Sequence, residues 1–352
     1  MFLLDTHCDT PSHILRLRDL ALDNKYAHVD FPKLSRGGVD GAFFALYTPA
    51  ALSTSESYAY AYRLLNGVRQ MLESHSDKAK AATTRDEAYA NKSDGLFSVF
   101  LGLENGQAIG NSLDRIHEFY SAGVRYITLC HSRNNQICDS CAEGSSWNGL
   151  SPFGKDVIRE MNSMNMLVDV SHISDESFYD VLETSDKPIV ATHSCCRSLC
   201  DHPRNMTDDM IRHLAQAGGV IQINFYPLFL DGGFKDVLNA SGIMEYGERI
   251  EAEFIADPSN PAKRSAWNKV QDELNALARP SYELIADHID HVVDLVGIDH
   301  VGIGSDFDGI EVTPKGMEDI SAIPRLFDEL RRRGYSQNDL VKISSDNFFR
   351  IL

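Results

Sequence analysis

The chain has 352 residues, a hydrophobic fraction of 43% and a formal charge of −18. So negative a surface repels phosphate backbones and argues against a nucleic-acid partner, and no apolar run approaches the roughly 20 residues of a membrane span. The length exceeds the roughly 250 residues of a minimal (β/α)8 barrel, so one barrel with loop insertions accommodates residues 1–352.

In chain order, the first apolar run (2–7) begins directly after Met1, with no basic segment and apolar stretch of an export signal before it, so a cytoplasmic location is expected. Further β-rich runs follow at 39–47, 96–104, 124–131, 166–172, 188–193, 219–226 and 300–306. Amphipathic helical stretches such as 156–165 and 207–216 separate them. Strand alternating with helix eight times predicts an α/β fold of the TIM-barrel type, (β/α)8. The connection after the seventh run is far longer than one helix and its loops require. It holds charged helical stretches near 243–255 and 262–278, separated by Asp257-Pro258-Ser259-Asn260-Pro261, before a regular barrel helix at 282–296. We therefore expect an insertion at about 227–280, emerging over the barrel mouth as lid, substrate wall or dimer contact.

The polar residues that can bind metal are distributed one-sidedly. His7, Asp9, Glu104, His131, His172, His193, Tyr226 and Asp306 all fall at the C-terminal ends of these runs, where a barrel of parallel strands builds its active site. In His7-Cys8-Asp9 the two ligand-type side chains stand at i and i+2, on one side of a strand, and Cys8 points to the other. Glu104 closes an apolar run, and a carboxylate buried there needs compensating positive charge. His7, Asp9 and Glu104 make one set of three ligands; Glu104, His172 and His193 make a second if the glutamate bridges. Two metals with three protein ligands each and open positions suit hydrolytic activation of water. Nitrogen and oxygen donors without thiolate favour Zn2+, with Mn2+ or Co2+ as substitutes. Seven cysteines, an odd number, fit a reduced chain better than a disulfide scaffold. Cys138-x-x-Cys141 has no second C-x-x-C in register and reads as small loop residues rather than as a zinc knuckle or redox pair.

These residues sit in motifs that carry a resemblance. Asp5-Thr6-His7-Cys8-Asp9-Thr10-Pro11, Gly102-Leu103-Glu104-Asn105-Gly106, Tyr126-Ile127-Thr128-Leu129-Cys130-His131, Val168-Asp169-Val170-Ser171-His172, Thr192-His193-Ser194, Arg204-Asn205-Met206-Thr207, Ile223-Asn224-Phe225-Tyr226 and Gly304-Ser305-Asp306-Phe307-Asp308-Gly309 together resemble the membrane dipeptidase (renal dipeptidase) family, in order, over nearly the whole chain. The resemblance implies an amidohydrolase-like binuclear zinc barrel that hydrolyses dipeptides, with L,D-dipeptides within its range and a homodimer as a family arrangement. It implies that His7 and Asp9 hold one zinc and His172 and His193 the other, bridged by Glu104. It further implies that His131 polarises the scissile carbonyl, Arg204 grips the substrate carboxylate, Asp306 is the acid/base and Tyr226 lines the substrate site. Elementary chemistry agrees: an oxyanion needs a donor, a departing amine needs a proton, and a guanidinium fork suits a carboxylate. Asp308 reads as a loop or cap carboxylate.

Two departures concern substrate contacts. Ser12 and His13 follow Pro11 where relatives often carry a tryptophan, and the insertion after Pro227 is unlike the compact animal enzymes. The competing readings are another hydrolase of lactones, cyclic amides or phosphoesters on the same metals, and a catalytically inactive barrel that binds a ligand; the second requires a lost ligand, and none is missing.

Overall fold

A strand buried on both faces is expected to read as a continuous apolar run, and Gly41–Tyr47 (GAFFALY) and Phe97–Glu104 (FSVFLGLE) do so. The computed structural model describes residues 1–352 and closes such strands into a barrel. The strands are β1 (Leu4–Cys8), β2 (Gly41–Tyr47), β3 (Ala79–Ala81), β4 (Phe97–Glu104), β5 (Val124–Thr128), β6 (Leu167–Asp169), β7 (Val190–Ser194), β8 (Val220–Ile223) and β9 (Val301–Ile303). They run parallel in the order β1-β2-β4-β5-β6-β7-β8-β9. Closure comes just beyond the strand ends, where Asp306 N donates to His7 O (3.0 Å) and Asp9 N to Phe307 O (2.9 Å). The ninth strand, β3, is unexpected from sequence. It pairs with Phe97–Val99 at the start of β4, and β5 takes over that edge from Leu101 onward.

Period-two alternation sorts each strand's side chains. Phe43, Phe100 and Tyr126 belong to a cluster that also holds Phe2, Leu4 and the C-terminal Phe348; Phe43 stacks on Phe100 at 4.8 Å and meets Phe348 edge-on at 5.1 Å. Phe44, Leu46, Leu101 and Leu103 point the other way, into the main core of 68 residues shared with the helices. Gly102 has a steric reason to be glycine: a Cβ there would lie 2.1 Å from the ring of Tyr126, whose hydroxyl reaches the site described below.

Several expected strands end early. His131, His172, Tyr226 and Asp306 each lie three residues past the last strand residue rather than on it. His172 (φ 72°) and Asp306 (φ 65°) adopt the left-handed conformation, uncommon for residues other than glycine and concentrated at functional sites. The strand stops because these side chains are aimed by a turn.

The long connection holds two helices beyond those expected. Helices Ile243–Ala256 and Pro261–Asn275 match the two charged stretches, and Glu283–Val296 is the regular barrel helix. The unanticipated helices are Pro227–Leu230 and Phe234–Ser241. The insertion has its own small core, in which Phe234, Ile250, Phe254, Trp267 and Val270 pack with Val312.

Candidate metal centre

At the mouth of the barrel the two oxygens of Glu104 face different partners. Oε2 lies 3.4 Å from His7 Nε2, which is 3.5 Å from Asp9 Oδ2. Oε1 lies 3.1 Å from His172 Nε2, 3.6 Å from His193 Nε2 and 3.7 Å from His131 Nε2. Three ligand-type groups thus overlap in space: His7, Glu104 and His193; Glu104, His131 and His172; and His7, Asp9 and Asp306.

The imidazoles are oriented from behind. The His7 Nδ1 is 2.9 Å from the Tyr126 hydroxyl, which itself donates to Thr6 O; this sets His7 Nδ1 as the protonated nitrogen and leaves the Nε2 lone pair for the centre. His193 Nδ1 is 2.8 Å from Thr192 Oγ1, and that hydroxyl donates to Asp169 Oδ2 at 2.6 Å. Asp169 is fully buried and also accepts from Thr128 Oγ1 and from the Ser171 and Thr192 amides. Thr192→Val keeps the side-chain shape but removes the acceptor for His193, so metal affinity should fall about 10–100-fold with an unchanged circular dichroism spectrum. Titration against a chromophoric chelator checks it; wild-type affinity would free Thr192 of this role.

The centre is short of positive charge. Burial, with Glu104 adding, pushes the Asp9 carboxyl up to about 6, and burial pushes Asp306 up to about 7. Burial opposes a charge on His7, yet the Glu104 and Asp9 carboxylates outweigh it and hold its pKa raised. His7 Nε2 and Asp9 Oδ1 are buried with no hydrogen-bond partner, and the Nε2 atoms of His172 and His193 approach to 2.9 Å. Buried polar atoms are rarely left unpaired, and this donor set of imidazole and carboxylate fits divalent metal.

Around the centre, His131 is sandwiched between Tyr47 (4.8 Å) and His172 (4.2 Å). Burial, then the nearby Arg204 charge, lowers its pKa to about 3 and keeps the ring neutral. Asp306 Oδ2 accepts from Asn224 Nδ2 at 2.8 Å. Gly309 lets these carboxylates approach, since a Cβ there would sit 2.1 Å from Asp9 Oδ2. Asp308 is the structural carboxylate expected: Arg18 Nη1 binds it at 2.7 Å, and Thr10 Oγ1 and the His28 amide donate to it.

A cavity of about 370 Å3 opens onto Asp9, Glu104, His131, His172 and Asp306. The insertion contributes Glu251, Ile255, Trp267 and Gln271 to its lining, so it acts as a wall. Arg204 and Tyr226 are not in that lining. Arg204 is 6% exposed and donates to Ser194 Oγ and His193 O, both at 2.8 Å, while its Nε is buried without a partner. Tyr226 stands behind the wall with its hydroxyl on Glu311. Sequence reasoning passed over Tyr126, Thr192 and Asp169 as site residues. Only Asp169 left a signal, a carboxylate inside an apolar strand. All seven cysteines are free, and Cys130, Cys138, Cys195 and Cys196 are buried in the main core.

Comparison with known proteins places this site in context. The sequence profile described as membrane dipeptidase (peptidase family M19) matches residues 1–352. The dipeptidase verJ of Clonostachys rogersoniana is 30% identical over 367 residues, 99% of this chain and 83% of that protein. The dipeptidase aclJ of Aspergillus oryzae is 31% identical over 360 residues, 100% of this chain and 75% of that protein. Among solved structures, dipeptidase AC, a metallo peptidase of family M19, superimposes with a TM-score of 0.81 at 25% identity, covering 100% of this chain and 97% of that one. A metallo peptidase from Rhodobacter sphaeroides, liganded with a phosphinate mimic of the dipeptide L-Ala-D-Ala, shares the fold at a TM-score of 0.81 and 24% identity, with 100% and 98% coverage.

Proposed function

The chain belongs to the membrane dipeptidase family, and from that premise we propose that it is a binuclear zinc dipeptidase cleaving the amide bond of dipeptides with a free C-terminal carboxylate, L,D-dipeptides among them. The observation that carries this reading is the division of the Glu104 carboxylate between His7 on one oxygen and His172 and His193 on the other. His7 and Asp9 would hold one cation, His172 and His193 the second, and Glu104 both. When bound, the cations supply Lewis acidity and lower the pKa of water.

The chain's own groups supply the rest. Asp306, beside Asp9 and steadied by Asn224, takes a proton and returns it to the departing amine; burial raises its pKa, and bound cations work against that rise and favour the accepting carboxylate. His131, neutral and at the cavity wall, offers one ring N–H to the oxygen that gains charge at the scissile carbonyl. Arg204 has an unused Nε–H beside the centre, which suits it to a substrate carboxylate. A binding protein without activity would be expected to have lost one of these groups, and all are in place.

The test is turnover of zinc-loaded protein on a dipeptide and on its N-blocked, C-amidated counterpart. Hydrolysis of the first alone is expected; cleavage of lactones, cyclic amides or phosphoesters with none of dipeptides would refute the proposal. Arg204→Ala should lose much more kcat/KM on a dipeptide than on its C-terminal amide, because the substrate anion is left unpaired. Equal losses on both would make Arg204 structural.

A further inference from the structure

The cavity extends from the metal centre to a wall whose charges do not balance. Besides the centre itself, its charged lining consists of Arg16, Arg18, Glu251, Asp308 and Glu311. Four of these pair off: Arg18 Nη1 with Asp308 Oδ1 at 2.7 Å, and Arg16 Nη1 with Glu251 Oε1 at 3.2 Å. Glu311 has no cation; its carboxylate is met by its own backbone N–H and by the Tyr226 hydroxyl. It is also part of a second, smaller recess lined by Glu248, Glu251 and Trp267, which fixes these four residues as neighbours.

Unused polar atoms belong to the same wall. Ser12 is 5% exposed, lines the cavity, and its Oγ is buried without a partner. It stands one helical turn before Arg16, on the face that reaches Glu251. Gln271, from the insertion, also lines the cavity with its Oε1 buried and unpartnered. A carboxylate without a cation, an amide oxygen and a hydroxyl without donors, and an indole form a surface that accepts hydrogen bonds and attracts positive charge. Burial pushes the Glu311 carboxyl up to about 7, with Glu251 adding to the rise; a cation placed against it reverses that tendency.

Resting on the dipeptidase reading, we propose that the wall formed by Glu311, Gln271, Trp267 and Ser12 is a specificity subsite for a cationic side chain, the ammonium or guanidinium of a basic residue in the dipeptide. Glu311 provides the counter-charge, Gln271 and Ser12 accept hydrogen bonds, and Trp267 covers the aliphatic stem. Arg16 keeps Glu251 neutralised, so outside the metal centre Glu311 is the one unpaired carboxylate of the cavity lining and suits one cation.

The test compares dipeptides that differ only in charge: lysyl against norleucyl, at each of the two positions with alanine at the other, in wild type and Glu311→Gln. Wild type should favour lysyl over norleucyl in kcat/KM by about tenfold or more at one position, as for a buried charge-assisted contact, and the ratio should approach one in the variant. A wild-type ratio of one or below at both positions would overturn the subsite. So would a ratio unchanged by Glu311→Gln. If the protein hydrolyses no dipeptide at all, the functional reading fails separately, and the subsite is then read by calorimetry with lysine amide and norleucine amide: charge-selective binding lost in Glu311→Gln sustains it, and its absence refutes it.

Discussion

Glu104→Gln should empty the metal centre and abolish turnover together. Each carboxylate oxygen of Glu104 faces its own group of imidazoles, Oε2 toward His7 and Oε1 toward His172 and His193. An amide keeps the size but offers one oxygen and turns an NH2 toward the other group, where no lone pair remains to bind a cation. The bridging negative charge disappears as well. Losing several kcal/mol of electrostatic stabilisation corresponds to about 10³-fold or more in rate at 1.36 kcal/mol per decade. The fold should hold, since β4 is anchored by its ladders to β2 and β5 through backbone groups. Metal analysis and turnover on the same preparation check this; a variant that retains full metal content would show that Glu104 is not the shared ligand.

Asp306→Asn should do the opposite to metal content, leaving it intact while turnover falls about 10²–10⁴-fold, the usual contribution of a positioned proton carrier. The substitution is clean on structural grounds. Asparagine tolerates the left-handed backbone (φ 65°) that Asp306 adopts, and its carbonyl oxygen can still accept from Asn224 Nδ2. What it cannot do is take up a proton. A loss confined to KM would assign Asp306 to substrate binding, and near-normal turnover would remove it from the reaction.

The architecture was legible because barrel strands announce themselves locally. Runs such as 39–47 and 96–104 are apolar on both faces, and the two charged insertion helices carry their own break at Asp257-Pro258. The metal-binding side chains were legible because a polar residue at the end of such a run has no core role to explain it. Strand ends were overextended because the left-handed turns at His172 and Asp306 need no glycine and leave no mark in the sequence. The residues behind the imidazoles were missed for a different reason. Tyr126 supports His7 across 119 positions and fits only because Gly102 on the neighbouring strand has no side chain, a relation that exists only in three dimensions. Nor did a lone Arg204 reveal that two of its donors are committed to Ser194 and His193.

The central claim, a centre of two metals sharing Glu104, is tested most directly by counting metal. Protein stripped with a chelator, titrated with zinc and assayed for dipeptide hydrolysis at each step should bind two equivalents per chain, with activity reaching its plateau only as the second is bound. Full activity with one equivalent or fewer would contradict it.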